Sequence, residues 1–150
     1  MYYSRNSWHL EGDGGVSGMT LDELATGFEY ESEKTDNWRI LKLDQHGKCN
    51  GDCDDYACTA LYIVTGSLWG FWKALILGDA KIHYVITANG GGHAVLGYKD
   101  EYIDNWSRKF VSKNFMQSTY GHNFHGWLFP WFVTAIKMAA GKLFRRVQNA

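Results

Sequence analysis

The clearest pattern in the chain lies between residues 53 and 65. Tyr56, Ala57, Ala60, Leu61 and Val64 recur at intervals of three and four, which predicts a helix with one buried face. Cys53 extends that stripe by one turn, and Asn50-Gly51-Asp52 supplies turn and cap chemistry at its start. A second helix is predicted over Leu68 to Leu77, with Gly78 as its stop. The rhythm then changes. Lys81 to Ala88 is rich in β-branched and aromatic residues and reads as a strand. Asn89 to Gly92 reads as a turn, and His93–Tyr98 and Glu101–Trp106 as two further strands, closely joined. Upstream, Thr20 followed by Leu21, Asp22 and Glu23 predicts a capped helix over 21–29, with 30–37 an exposed connection. Glu11 to Gly15 reads as a turn or loop, and the tail from Phe129 as helical through Ile136, Met138, Leu143 and Phe144. Helices followed by an antiparallel sheet make an α+β pattern, without internal repeats.

Composition narrows the class. At 150 residues the chain fits one domain, spanning 1–150, and its 16% aromatic content supports a large core. The net charge of −1 offers no general attraction to nucleic acid or to an anionic membrane. No transmembrane segment is expected: the ring-rich stretch from Trp127 to Ile136 is too short to span a bilayer and contains Pro130. Met1 to Arg5 lead into polar sequence without the apolar run of an export signal. With three cysteines, this points to a reducing, cytoplasmic setting and to thiols that are free, ligating or catalytic.

Three residues have the chemistry of a nucleophilic unit. A thiol attacks as thiolate, and Cys53 falls where a helix N-terminus would stabilise that anion and an oxyanion on a substrate carbonyl. Asp54 and Asp55 oppose ionisation, and spacing does not decide which effect wins. His93, opening a strand after three glycines, is the expected base, with Asp104 in the next strand as its partner. A two-residue loop at Tyr98-Lys99, or a four-residue loop over 97–100, sets 93 opposite 104 on one face; a three-residue loop separates them. Each residue also has an ordinary structural role: core cysteine, bonded strand histidine, strand-ending aspartate. The spacing His46, Cys49, Cys53, Cys58 raises a zinc site as a rival, although Cys53 and Cys58 would point to different sides of one helix. His122 and His125, among Gly121, Asn123 and Gly126, are read as loop residues without a site.

The blocks Gly51-Asp52-Cys53-Asp54-Asp55-Tyr56-Ala57, Gly92-His93-Ala94-Val95-Leu96 and Tyr102-Ile103-Asp104-Asn105 resemble the bacterial transglutaminase-like cysteine proteinases, within the papain and transglutaminase superfamily. The resemblance covers roughly residues 45–108. It implies a papain-like fold, with the thiol at the N-terminus of a helix packed on a small antiparallel sheet. It further implies Cys53 as nucleophile, His93 as general base and acid, Asp104 as orienting carboxylate and Gln45 as a side-chain oxyanion donor. The expected function is a cysteine-dependent peptidase or amidase acting on a peptide or other amide through a thioester, with no cofactor. The short interval from His93 to Asp104 requires a tight hairpin. The alternative is an inactive module of the same fold serving binding or assembly, for example in a phage virion. Phe124, Trp127, Leu128, Phe129, Trp131 and Phe132, followed by Lys137, Lys142, Arg145 and Arg146, suggest a helix packed on the domain with a solvated basic face, with docking on a membrane interface or a protein partner, or lining the substrate groove, as other uses of the segment.

Overall fold

A computed structural model describes residues 18–148; the turn expected at Glu11 to Gly15 lies outside them. The elements are α1 (Leu21–Gly27), β1 (Phe28–Tyr30), β2 (Cys49–Gly51), α2 (Cys53–Thr65), α3 (Leu68–Leu77), β3 (Ala80–Ile86), β4 (Gly92–Tyr98), β5 (Glu101–Ile103), α4 (Lys113–Tyr120), β6 (Leu128–Phe129) and α5 (Trp131–Gln148). The class is α+β. A four-stranded antiparallel sheet runs in the order β5-β4-β3-β6, and β1 and β2 form a separate parallel pair.

Local chemistry explains most boundaries. Thr20 caps α1 in a reciprocal capping box with Glu23, and Asp52 does the same for α2 with Asp55. Gly66 and Gly78 end α2 and α3 in the left-handed conformation. α1 stops at Gly27, short of the expected residue 29, because Phe28–Tyr30 pair in parallel with Cys49–Gly51. Tertiary pairing here overrides the local helical preference. The tail helix starts at Trp131, with Pro130 just before it, and Leu128–Phe129 instead bond β3 as an edge strand. α4 falls on residues to which the hydrophobic pattern assigned no element. Its caps, Ser112 and Gly121, are regular.

The core lies between α2 and one face of the sheet. Tyr56, Ala57, Cys58, Ala60 and Leu61 of α2 are buried against Ile82, Ala94, Leu96 and Ile103, with Leu24, Phe28, Trp38 and Phe71 closing the periphery. Alternation sends Val85 and Val95 to the other face, where Met116 of α4 covers them. α5 rests against Trp38, over which the Lys137 ammonium sits while also pairing with Asp36. Phe132, Ile136, Leu143 and Phe144 remain exposed along the helix. Among the described residues no single helix is long and apolar enough to cross a membrane. α2 and α3 pass such a test only as a pair bent by 105°, and α2 is the core helix.

Candidate active site

The β4–β5 hairpin delivers the acid to the base. Its two-residue loop is Lys99-Asp100, both with positive φ (49° and 66°), rather than the expected Tyr98-Lys99 or 97–100. Leu96 therefore faces Ile103, so Val95, not His93, lies opposite Asp104 in the continued register. The shift is two residues, and a shift of two keeps every side chain on its face. Asp104 thus stays on the side of His93, one diagonal step away, and the contact forms: His93 Nε2 to Asp104 Oδ2 is 2.9 Å.

The strand ends at Ile103, earlier than expected, because Asp104 turns the chain. Its Oδ1 accepts the backbone N–H groups of Trp106 (3.1 Å) and Ser107 (2.7 Å). Its Oδ2 accepts His93 and also His122 Nε2, at 2.7 Å. Burial alone would raise the pKa of this carboxyl. The hydrogen bonds from His122, His93 and Ser107 outweigh it and hold Asp104 well below the usual carboxylate range. All three side chains are buried. The Trp106 ring leans over both imidazoles, with centroids 5.2 Å from His93 and 4.9 Å from His122.

An ionised carboxylate only accepts, so both imidazoles present Nε2–H to it. That leaves Nδ1 of His93 as the ring's free lone pair, the tautomer a base needs.

Cys53 is the first residue of α2; its thiol donates to the Asp54 carboxylate at 3.8 Å, and the backbone N–H of Ala94, the residue after His93, favours its anion. Helix and strand thus bring the thiol to the residue beside the imidazole. Burial, then the Asp54 carboxylate, push the thiol up to about 12; the N–H groups of Ala94 and of Cys53 itself pull the other way and lose. The helix terminus gives little help, because the N–H groups of Asp54 and Asp55 are bonded to the cap, Asp52 Oδ1. The contest left open by spacing is thereby decided in favour of the acids. Burial together with Asp52, Asp36 and Asp55 raises Asp54 itself to about 7. Gly51 is required beneath this turn, since a Cβ there would stand 2.8 Å from an Asp55 carboxylate oxygen.

Gln45 is not brought to the thiol. It occupies an exposed turn at the far end of β2 from Cys53 and bonds His46 at 3.3 Å. The turn around it is built by Asp44, which accepts the His46 and Lys48 amides. The cysteine-rich zinc set does not converge either. Among the described residues, the one group of three or more possible metal ligands that comes together is His93, Asp104 and His122. A cation there would take both Nε2 lone pairs and put the His122 proton on Nδ1, which is buried without an acceptor among the described residues. The geometry fits a hydrogen-bonded carboxylate better than a metal.

His122 is the residue the motifs missed. It follows Gly121, whose left-handed backbone (φ 69°) ends α4, and precedes Asn123, which bonds Ile86 of β3 in both directions. The Ser112 cap and the terminal Gly121 were the available signals for α4, and with them for a chain reversal aimed back at the sheet. No protein-family model, curated protein or solved structure matches the chain.

Proposed function

We propose that the protein is a cysteine-dependent hydrolase of amide bonds, with a papain-like arrangement in which Cys53 attacks, His93 moves the proton and Asp104 orients His93. The observation that carries this reading is the buried His93–Asp104 pair, in which one ring nitrogen is committed to the carboxylate, next in the chain to Ala94, whose backbone N–H favours the Cys53 anion.

Because acids and burial keep Cys53 protonated, the resting nucleophile is a neutral thiol. Attack is then coupled to transfer of the thiol proton to His93 Nδ1, with Asp104 stabilising the imidazolium. The sulfur–carbon bond forms as the carbonyl π pair moves to oxygen, where the N–H groups of Cys53 and Ala94 are the donors at hand. Collapse expels the amine, which takes the proton from His93, and leaves a thioester. Water, deprotonated by His93, hydrolyses the thioester and restores the thiol.

The raised thiol favours one second reading, a module that keeps the arrangement for binding or assembly. Labelling with iodoacetamide near neutral pH, followed by peptide mass spectrometry, separates the two. Catalytic use requires Cys53 to label faster than Cys49 and Cys58 and to lose that lead in His93→Ala. Equal, slow labelling of all three favours the binding module. With an amide substrate in hand, Cys53→Ala abolishes turnover and leaves the fold intact; retained turnover ends the hydrolase reading.

A further inference from the structure

We propose that His122 is a positioning residue: a neutral second imidazole on Asp104 that fixes the carboxylate and, through it, keeps His93 in the tautomer able to accept a proton from Cys53. The functional part of this inference rests on the hydrolase reading above. The hydrogen-bonding part stands on geometry alone.

The carboxylate is held at both oxygens. Oδ1 is pinned by two backbone amides of its own turn, and Oδ2 by two imidazoles. Of the two, His122 makes the shorter bond, 2.7 Å against 2.9 Å. It is also the more deeply buried, at 2% exposure against 6%. A dyad of His93 and Asp104 would leave Oδ2 with one donor on a strand edge. His122 anchors that oxygen from the loop after α4, a segment that carries neither Cys53 nor His93.

The state of His122 follows from its other nitrogen. Nδ1 is buried and has no hydrogen-bond partner among the described residues. A second proton there would bury an N–H without an acceptor, and moving the single proton from Nε2 to Nδ1 would break the bond to Asp104 as well. The neutral Nε2–H form is the one the site satisfies. His122 thus supplies a donor without adding a charge, and Asp104 keeps its full negative charge for the imidazolium that forms on His93.

The ring's own position is over-determined. The Met116 carbonyl accepts the His122 backbone N–H at 3.3 Å, and the Asn123 bridge to Ile86 fixes the following residue. Trp106 and Tyr120 flank the ring, with centroids 4.9 and 5.6 Å away.

The test uses the full chain with ¹⁵N-labelled histidine. The imidazole ¹⁵N shifts of the unaltered protein should show protonated Nε2 and bare Nδ1 on both His93 and His122 at neutral pH. In His122→Phe, His93 should populate both tautomers, and iodoacetamide labelling of Cys53 should fall about tenfold. His122→Gln, whose amide N–H₂ reaches the place of Nε2, should restore the single tautomer and most of the labelling. Should the Phe variant not fold, His122→Asn, too short to reach Oδ2, replaces it against Gln. A single, unchanged His93 tautomer in the variant lacking the donor overturns the proposal, and so does a proton on His122 Nδ1 in the unaltered protein. Labelling of Cys53 that ignores His93→Ala, with the tautomers shifting as stated, instead refutes the hydrolase reading and leaves the His122–Asp104 linkage standing.

Discussion

Two groups of aspartates, both withdrawn from water, behave in opposite ways. Asp104 receives four donors from two imidazoles and two amides, and its ionised form is strongly favoured. Asp55 is also fully buried and accepts the Arg39 backbone N–H at 2.9 Å, yet burial and the Asp52 and Glu33 carboxylates push it to about 7. Asp54 reaches about 7 for the same kind of reason. Burial does not separate these cases. Their neighbours do: hydrogen-bond donors around one carboxylate, further carboxylates around the others. An imidazole bonded to a firmly ionised carboxylate thus stands in contrast to a thiol whose acidic neighbours keep it protonated.

The largest way to break this contrast is Asp104→Ala. It removes the acceptor of two buried N–H groups and two amides, so chemical denaturation should show a loss of about 3 kcal/mol. Cys53 should also lose any labelling advantage over Cys49 and Cys58. Since the folded pKa of Asp104 is depressed, its stabilisation is complete above the usual carboxylate range and disappears as pH falls below it. The deficit of the variant should accordingly shrink in acid.

Asp54→Asn tests the opposite member. Asp54 has a folded value near 7 against an ordinary 3.8, so its ionisation opposes folding. That cost is absent below about pH 4, grows between there and about pH 7, and is constant above. The variant should be more stable by about 1–2 kcal/mol at pH 8 and nearly unchanged at pH 4, by thermal melts at both values. With one negative charge gone from beside the sulfur, Cys53 should begin to react with iodoacetamide at lower pH than in the parent. An unchanged profile would mean that Asp54 does not hold the thiol up.

The smallest effect belongs to the turn that delivers Asp104. Lys99 and Asp100 both sit at positive φ, where Asn and Gly are favoured. Lys99→Asn with Asp100→Gly should stabilise the hairpin by about 1 kcal/mol. The denaturation midpoint reads this directly, and the labelling profile should stay as it was.

The elements that carry strong periodicity were legible in the sequence. The stripe from Cys53 to Val64 and the Asp52 cap define α2, and the β-branched run defines β3. His93 and Asp104 could be placed on one face because parity tolerates an error of two in register. Less was legible where the cause is non-local. Phe28–Tyr30 looks helical until Cys49–Gly51 pairs with it, and Leu128–Phe129 is too short to signal a strand by itself. Gln45 was attractive for its position before the nucleophile, but an Asp44-centred turn faces it to solvent. His122 was hidden because a loop histidine among glycines resembles any other until α4 and the Asn123 bridge fold it onto Asp104. The acidic residues after Cys53 were visible, and only their shared desolvation shows how far they outweigh the helix terminus.

The closing pair of the Lys99-Asp100 turn, Tyr98 with Glu101, is what fixes the acid's side of the sheet. A slip of the β4–β5 pairing by one residue would carry Asp104 through to the α2 side and leave His93 without its carboxylate, whereas a slip by two would not. Tolerance of mispairing in this hairpin is thus quantised: His93 and Asp104 stay on one face only through even slips.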